Sequence, residues 1–437
     1  MPNLLLLLVQ IGVIVIAARC VGLLFRRIHQ PQVMGEMVAG ILLGPSFFGW
    51  VMPELSAQLF APASLGFLSS ISQVGLLVFM FLVGLELNPG LLRGRGHTAV
   101  VTSHVSITVP FFLGALLAVF LYPRLSDSSV TFTGFALFMG AAMSVTAFPV
   151  LARILTERNL MGTRVGAVTL ACAAVDDVTA WCILAGVVVL VRADGTGLPL
   201  WITVAGSAAF MLVMVVFARR LFAGLERKYD RLSGVVSQDM LALILLVALA
   251  SAWATEWLGI HALFGAFLAG AVMPKGEGFV GALTEKLEDF TVVLFLPLFF
   301  AFTGLRTSIG LVSGAEMWGY CALIVAVAVA GKFGGSTVAA RLTGMPWRES
   351  AALGILMNTR GLMELVILNV GLEIGVISPA LFTMMVLMAL VTTFMTTPLL
   401  VWIYPPAGRA ARYRVRSRSM SEPMGADAGA RTAPAGA

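Results

Sequence analysis

The stretch AAVDDVTAW, Ala173 to Trp181, sets two aspartates side by side in a run that is otherwise almost entirely apolar. That run extends from Val165 to Val191. It is long enough to cross a bilayer, which takes about 20 apolar residues. An ionisable side chain at bilayer mid-depth costs roughly 2.5–3.5 kcal/mol on insertion scales, so such groups mark function by default. Two in succession make this segment the point from which the rest of the chain is read.

The surrounding composition fits a membrane setting. Of 437 residues, 59% are hydrophobic and only 11% charged, and the mean hydropathy is +0.97. A soluble chain of this length could not hide so much apolar surface, whereas repeated apolar stretches of about 20 residues indicate a polytopic membrane protein. The net charge of +6 does not suggest nucleic acid, because the basic residues sit in short loops and a tail. Cys20, Cys172, Cys182 and Cys321 lie in or at the ends of apolar segments without metal-type spacing, and read as small core residues. The N-terminus, MPNLLLLLVQIGVIVIAARC, lacks a basic leader and has Arg19 where a cleavage site needs a small residue. It reads as a first membrane helix.

Glycine, proline and charge clusters divide the chain into about thirteen apolar segments, near 3–25, 33–50, 66–88, 98–122, 131–155, 164–191, 200–222, 238–257, 260–274, 287–305, 315–341, 349–372 and 377–403. An odd number puts the two ends of the chain on opposite sides. With the C-terminus cytoplasmic and the N-terminus outside, all but five of the 28 basic residues fall on the inside. The exceptions are Arg124, Arg192 and Arg306, outside, and Lys332 and Arg360, within segments.

Two internal echoes suggest a repeat. GEMVAGILLGP (Gly35–Pro45) resembles GAFLAGAVMP (Gly265–Pro274), and FLVGLELN (Phe81–Asn88) resembles FAFTGLRTS (Phe300–Ser308). Each pair is seven segments apart, and an odd shift inverts a unit across the bilayer. Two inverted six-helix repeats are therefore expected, about 1–191 and 238–403, with 200–222 as linker, against the alternative of chance similarity between apolar stretches. The repeat makes the fifth and twelfth segments equivalents, and both are interrupted. The fifth holds MSVTAFPVLAR, with Ser144, Thr146 and Pro149; the twelfth holds LMNTRGLMEL, with Asn358, Thr359, Arg360 and Gly361. Freed backbone groups at membrane depth are tolerated only inside protein or around a wet cavity. Matching broken helices in two halves point to a transporter site.

Adjacent residues on a helix point about 100° apart, so Asp176 and Asp177 can hardly share a proton face to face. The reading preferred here gives Asp177 the site between the broken helices and Asp176 a cationic partner. A carboxylate there holds either a proton or, with carbonyls and hydroxyls, a dehydrated alkali cation. Competition for it couples the two flows in opposite directions. Lys332, in VAVAVAGKFGGSTVAA, is the expected partner of Asp176, with snorkelling to an interface as the plainer reading. Arg360 and Glu364 are spaced i, i+4 and read as a structural charge pair. Glu86 and Glu36 read as residues near the cytoplasmic surface, and His104 and His261 as satisfied or interfacial imidazoles. No phosphate-binding loop, zinc motif or dinucleotide fingerprint is present in the sequence. No cofactor and no enzymatic chemistry are expected.

LLVFMFLVGLELNP, SVTAFPVLARILTE, AAVDDVTAW, LEDFTVVLFLPLFFAFTGLRTS, GKFGGS and NTRGLMELVILNVGLE together resemble the monovalent cation:proton antiporter-2 family of the sodium/proton exchanger superfamily. The likeness covers roughly residues 5–403 and is greatest to the branch of plant-type cation/H+ exchangers. It implies a homodimer of thirteen-helix protomers, each with a dimerisation panel and a core in which two broken helices cross. It puts the ion-binding aspartate, hence the monovalent-cation ligand, at Asp177, the preceding acidic position at Asp176, the core lysine at Lys332, and crossing-region residues at Thr146 and Asn358. It leaves stoichiometry open.

The expected organisation is a membrane exchanger domain over 1–408 and a disordered, Arg-rich cytoplasmic tail over 409–437, too short and polar for the nucleotide-sensing domain of potassium-efflux relatives. The tail's arginines could rest on anionic lipid. The expected activity is secondary active exchange of K+ or Na+ for H+ across the cell membrane. The rivals are a passive cation channel, which would need a carbonyl filter, an intramembrane aspartyl protease, which needs aspartates on facing helices, and a sodium-coupled organic anion carrier on a related fold.

Overall fold

The computed structural model describes residues 4–404 apart from short stretches at 29, 87–95, 128–129, 159, 161–162, 194–199, 233 and 260. The Arg-rich tail at 409–437 lies outside the described residues. Those residues form helices joined by short turns, as a chain without access to water for its backbone must.

In chain order these are α1 (Leu4–Arg27), α2 (Gln32–Leu43), the short α3 (Phe48–Val51) and α4 (Pro53–Leu59), α5 (Pro62–Glu86), α6 (Gly96–Leu125), α7 (Phe132–Ser144), α8 (Phe148–Glu157) and α9 (Arg164–Ala193). Then come α10 (Leu200–Val213) and α11 (Arg219–Arg231), α12 (Gln238–Trp257), α13 (Ala262–Ala271), α14 (Glu277–Phe290) and α15 (Leu296–Leu305). The last are α16 (Gly314–Val329), α17 (Gly335–Leu342), α18 (Trp347–Met357), α19 (Leu362–Glu373) and α20 (Pro379–Ile403). Single π-helical turns join α10 to α11, α14 to α15 and α16 to α17. Side chains start several helices: the hydroxyls of Thr131, Ser237 and Ser378 each accept a backbone N–H of the first turn.

Among the described residues, ten helices are long and apolar enough to cross a membrane, and eleven when the bent pair α18–α19 counts as one span. The fifth and ninth of the expected thirteen segments contain shorter apolar helices, α7 and α13. The fifth is interrupted at Val145–Ala147, not at its proline, because Pro149 lies in the first turn of α8, where its missing N–H costs nothing. The twelfth is interrupted at 358–361, with a bend of 41°.

Two groups of helices pack internally. In one, α6 lies along α7, α9 and α17, α18 lies on α9, α17 and α20, and α16 lies on α20. In the other, α1 lies on α2, α13 on α5 and α12, and α15 on α2 and α5. The quoted echoes acquire a geometric meaning in the second group. They align Gly40 with Gly270 and Gly84 with Gly304. The structure crosses α2 over α15 at Gly40 and Gly304, and α13 over α5 at Gly270 and Gly84. A methyl group on Gly40 would collide with the Phe300 carbonyl, and one on Gly84 with the Phe267 carbonyl. The two crossings are thus the same contact made twice, with the roles of the halves exchanged.

Glu36, expected near the surface, is instead buried in α2 and accepts from Gln32 at 3.0 Å. The pattern could not reveal this, because α1 and α15, which cover α2, come from distant parts of the chain. The side chain of Glu86 lies outside the described residues.

Candidate functional site

The two interruptions meet inside the first group. Val145, Thr146 and Ala147 separate α7 from α8, and residues 358–361 separate α18 from α19. The Ala147 N–H donates to the Thr359 carbonyl at 3.1 Å, and the Thr146 hydroxyl lies 3.1 Å from the Met357 carbonyl. Each break thus takes up backbone groups that the other leaves without helical partners, which is the condition for irregular chain at this depth.

Four helix ends are brought close by this crossing, and at two of them a charged side chain stands in the sense the helix dipole favours. Arg360 donates to the Ala142 carbonyl at 3.0 Å and to the Met143 carbonyl at 2.8 Å, at the negative end of α7. Its guanidinium also meets Glu364 at 2.5 Å, and Glu364 lies in the first turn of α19, at that helix's positive end. Both side chains are fully buried. The i, i+4 spacing identified the pair, but not the carbonyls of α7 that Arg360 also holds. Its backbone is fixed as well: the Arg360 N–H donates to Thr393 Oγ1 at 2.8 Å, and that hydroxyl donates to the Arg360 carbonyl at 2.6 Å.

Asp176 and Asp177 project from α9 beside this crossing. Lys332 Nζ lies 2.7 Å from Asp176 Oδ2 and 2.6 Å from Thr146 Oγ1, with both charged side chains at zero exposure. The ammonium does not snorkel. It sits on the π-helical turn Ala330–Gly334, which inserts an extra residue into the helix and so re-aims the side chains around it. Thr146 Oγ1 is 2.9 Å from Asp176 Oδ2. Ser106 Oγ on α6 is 2.8 and 2.9 Å from the two carboxylate oxygens, and Ser103 Oγ is 3.4 Å from Oδ1. Asp176 is thus held from three other elements.

Asp177 is different. It is 3% exposed, and no described group donates a hydrogen bond of normal geometry to either of its oxygens. The Phe148 N–H, in the first turn of α8, gives it at most a weak backbone hydrogen bond. Asn358 Oδ1 and Thr359 Oγ1, buried in the other break, also lack hydrogen-bond partners. Buried acceptors without donors are costly in a protein interior, and a proton or a cation relieves that cost. One turn beyond Asp177, the Trp181 ring packs edge-on against Phe264, with centroids 5.1 Å apart, and stacks on Phe267. Both phenylalanines lie on α13 of the second group, so Trp181 plugs the seam next to the site.

The sequence reading missed Ser103, Ser106 and Trp181. A signal for the serines was present, since SHVS places two hydroxyls three residues apart on one face of an apolar helix. For Trp181 there was none, because an aromatic residue in an apolar run says nothing of what it touches.

A second polar cluster bridges the seam near one end. Arg306, following α15, donates to Asn369 and to Glu373 on α19, each at 3.2 Å, and Asn369 donates to Thr303 on α15 at 2.9 Å. His261 Nε2 stands 3.8 Å from Glu373. A cavity of about 360 Å³, lined by residues that include Ser72, Gln73, Glu256 and His261, lies beside this cluster between α5, α13 and α19. Away from the spans, in the turn after α13, Lys275 donates to the carbonyls of Gly84, Leu85 and Gly270 at 2.9–3.1 Å. It staples the ends of α5 and α13, and burial pulls its ammonium down to about 8.

A family model described as "Sodium/hydrogen exchanger, transmembrane" matches residues 14–402. The chain belongs to the sodium/hydrogen exchanger family. Within it, the chain is 47% identical over 404 residues to Na(+)/H(+) antiporter NhaS4 of Synechocystis, covering 92% of this chain and 98% of that one. It is 40% identical over 427 residues to Cation/H(+) antiporter 20 of Arabidopsis thaliana and 35% identical over 410 residues to K(+)/H(+) antiporter 1 of Saccharomyces cerevisiae. These cover 95% and 92% of this chain, but 50% and 47% of the relatives, so the chain spans about half the length of these two. The fold is that of the sodium proton antiporter MjNhaP1 from Methanocaldococcus jannaschii, with a TM-score of 0.65, 93% of this chain and 100% of that one covered, and 13% identity.

Proposed function

We propose that this member of the exchanger family is a secondary active antiporter that trades a monovalent cation, K+ or Na+, for protons, with cation and proton competing for Asp177. The observation that carries the reading is the contrast on α9: Asp176 is saturated with side-chain donors, while neither buried oxygen of Asp177 receives a hydrogen bond of normal geometry from any described group. A proton on Asp177 removes the cost of the buried charge. So does an alkali cation, with the Asp177 carboxylate, Asn358 Oδ1 and Thr359 Oγ1 as oxygen ligands and Thr146 bracing the crossing behind them. Alkali ions take such oxygen donors. The carboxylate cannot hold both charges in the same place, so loading one ion releases the other.

Exchange further requires that Asp177 meet one side of the membrane at a time. In this reading the group containing α6–α9 and α16–α20 is the moving core, and the group containing α1, α2, α5 and α12–α15 is the fixed panel. The seam contacts of Trp181 and of Arg306 with Glu373 would close one route in the present arrangement. The setting we infer is a homodimer in the cell membrane, with the C-terminus cytoplasmic and the N-terminus outside, serving pH homeostasis. The names of the relatives, Na+/H+, K+/H+ and cation/H+ antiporters, support the activity and leave the choice between K+ and Na+ open.

The test is to reconstitute the protein in vesicles with an internal pH indicator and impose gradients of Li+, Na+, K+ and Rb+ in turn. Antiport drives protons against their own gradient. Proton movement that only follows the membrane potential would overturn the reading in favour of a conductance.

A further inference from the structure

The carboxylate that needs explaining is Asp176, because it has more donors than one ion pair requires. Lys332 and Thr146 both approach Oδ2, at 2.7 and 2.9 Å. Among the described residues, Ser106 Oγ, from α6, is the only group close to both oxygens, at 2.8 and 2.9 Å, and Ser103 reaches Oδ1 only at 3.4 Å. Ser106 is fully buried, and its oxygen also lies 2.8 Å from the Ser103 carbonyl one turn back.

A cation arriving at Asp177 brings a second positive charge to the helix turn that faces Lys332, whose ammonium already feels the Asp177 carboxylate. Like charges repel strongly where the effective dielectric is low. Whether Lys332 answers by moving or by giving up its proton, its hold on Asp176 weakens. Thr146 is a poor reserve, because it belongs to the break itself and Lys332 holds it as well as Asp176. Ser106 belongs to a continuous helix outside the crossing, so its hydroxyl stays in place while the other donors change.

We infer that Ser106 is a positioning residue for exchange: it keeps Asp176 anchored and oriented during the step in which Lys332 loosens, so that only Asp177 changes its occupant. This inference rests on the antiport reading at Asp177. Ser106 touches neither transported ion and acts through Asp176. The contact it supplies is a hydrogen bond to a charged group, the stronger class of such bonds.

The experiment compares wild type, Ser106→Ala, Asp176→Asn and the double variant in proteoliposomes. Ser106→Ala should slow maximal exchange by about tenfold, the loss expected for one bond to a charged group. The cation concentration for half-maximal rate should move by less than about twofold. In the Asp176→Asn background the same serine substitution should change the rate by less than about twofold, since the group it acts through has lost its charge. Melting of the purified variants provides a second cycle, with the two substitutions non-additive in the same sense, and it reads even where Asp176→Asn transports too slowly to measure. A wild-type rate for Ser106→Ala, or equal fractional effects in both backgrounds with additive melting shifts, would overturn the inference. Full exchange by Asp177→Asn would overturn the antiport reading instead, so the two failures are distinct.

Discussion

Asp176 and Asp177 are consecutive on one helix, yet the first accepts from lysine, threonine and serine side chains on three other elements, and the second accepts no hydrogen bond of normal geometry from any described group. One helical step of about 100° separates a charge that is built into the structure from one that is left to be neutralised. The functional reading follows from that step, and so does the asymmetry expected between the two substitutions.

Asp177→Asn should reduce cation-driven proton movement by at least a hundredfold while the purified protein remains folded, because the amide carries no charge to trade. Asp176→Asn should retain more exchange than Asp177→Asn and change the charge moved per cycle. Proteoliposome fluorescence and electrode currents on both variants check this. Equal losses would mean that the donor count does not separate their roles.

Arg360→Ala should be among the most damaging single substitutions for stability. It leaves Glu364 charged and buried without its partner and strips two carbonyls at the end of α7. Breaking a buried pair by removing one member costs about 3–5 kcal/mol. The double variant Arg360→Met, Glu364→Leu should recover part of that loss, because no unpaired charge remains. Thermal unfolding in detergent gives the order, and a double variant less stable than Arg360→Ala would contradict it.

At the seam, Asn369→Ala should destabilise more than Glu373→Gln. Asn369 is buried and bonded to both Thr303 and Arg306, and losing a buried partner costs about 1–3 kcal/mol. The Arg306–Glu373 pair is 29% exposed on each side, and pairs in contact with solvent contribute about 0–1 kcal/mol. Hydrogen exchange at the ends of α15 and α19 should report the same ranking.

Lys275 should react with an amine-directed reagent with a midpoint near pH 8, since burial lowers its ammonium to about 8. Free lysines titrate near about 10.4. The sign follows from linkage: between these values the unfolded chain binds the proton that the folded chain has released. The penalty for keeping Lys275 charged is therefore complete below about pH 8 and is relieved as the pH rises towards the ordinary lysine value. Mass-spectrometric labelling across pH 6–11 measures the midpoint, and one near that of an exposed lysine would refute the burial argument.

Much of this protein could be read without a structure. Apolar runs longer than a bilayer is thick permit few backbones other than a helix, so α1, α6, α9 and α20 were visible as segments. The charges that interrupt such runs stand out because each is costly there, which is why Asp176, Asp177, Lys332, Arg360 and Glu364 could be named from their neighbours alone. The glycines of the two echoes were visible as well, but not that Gly40 meets Gly304 and Gly84 meets Gly270.

What needed the tertiary structure was every relation that depends on how one helix is rotated and at what depth it meets another. Local pattern places a residue on a face of its own helix and carries no information on the partner across the interface. Ser106 reaches Asp176 from 70 positions away, and Thr146 meets the Met357 carbonyl across 211. Arg360 finds the end of α7 across 217 and 218 positions. The residue types announced that charge lies buried in this chain; only the packing of distant helices decided which of those charges is satisfied and which is left open.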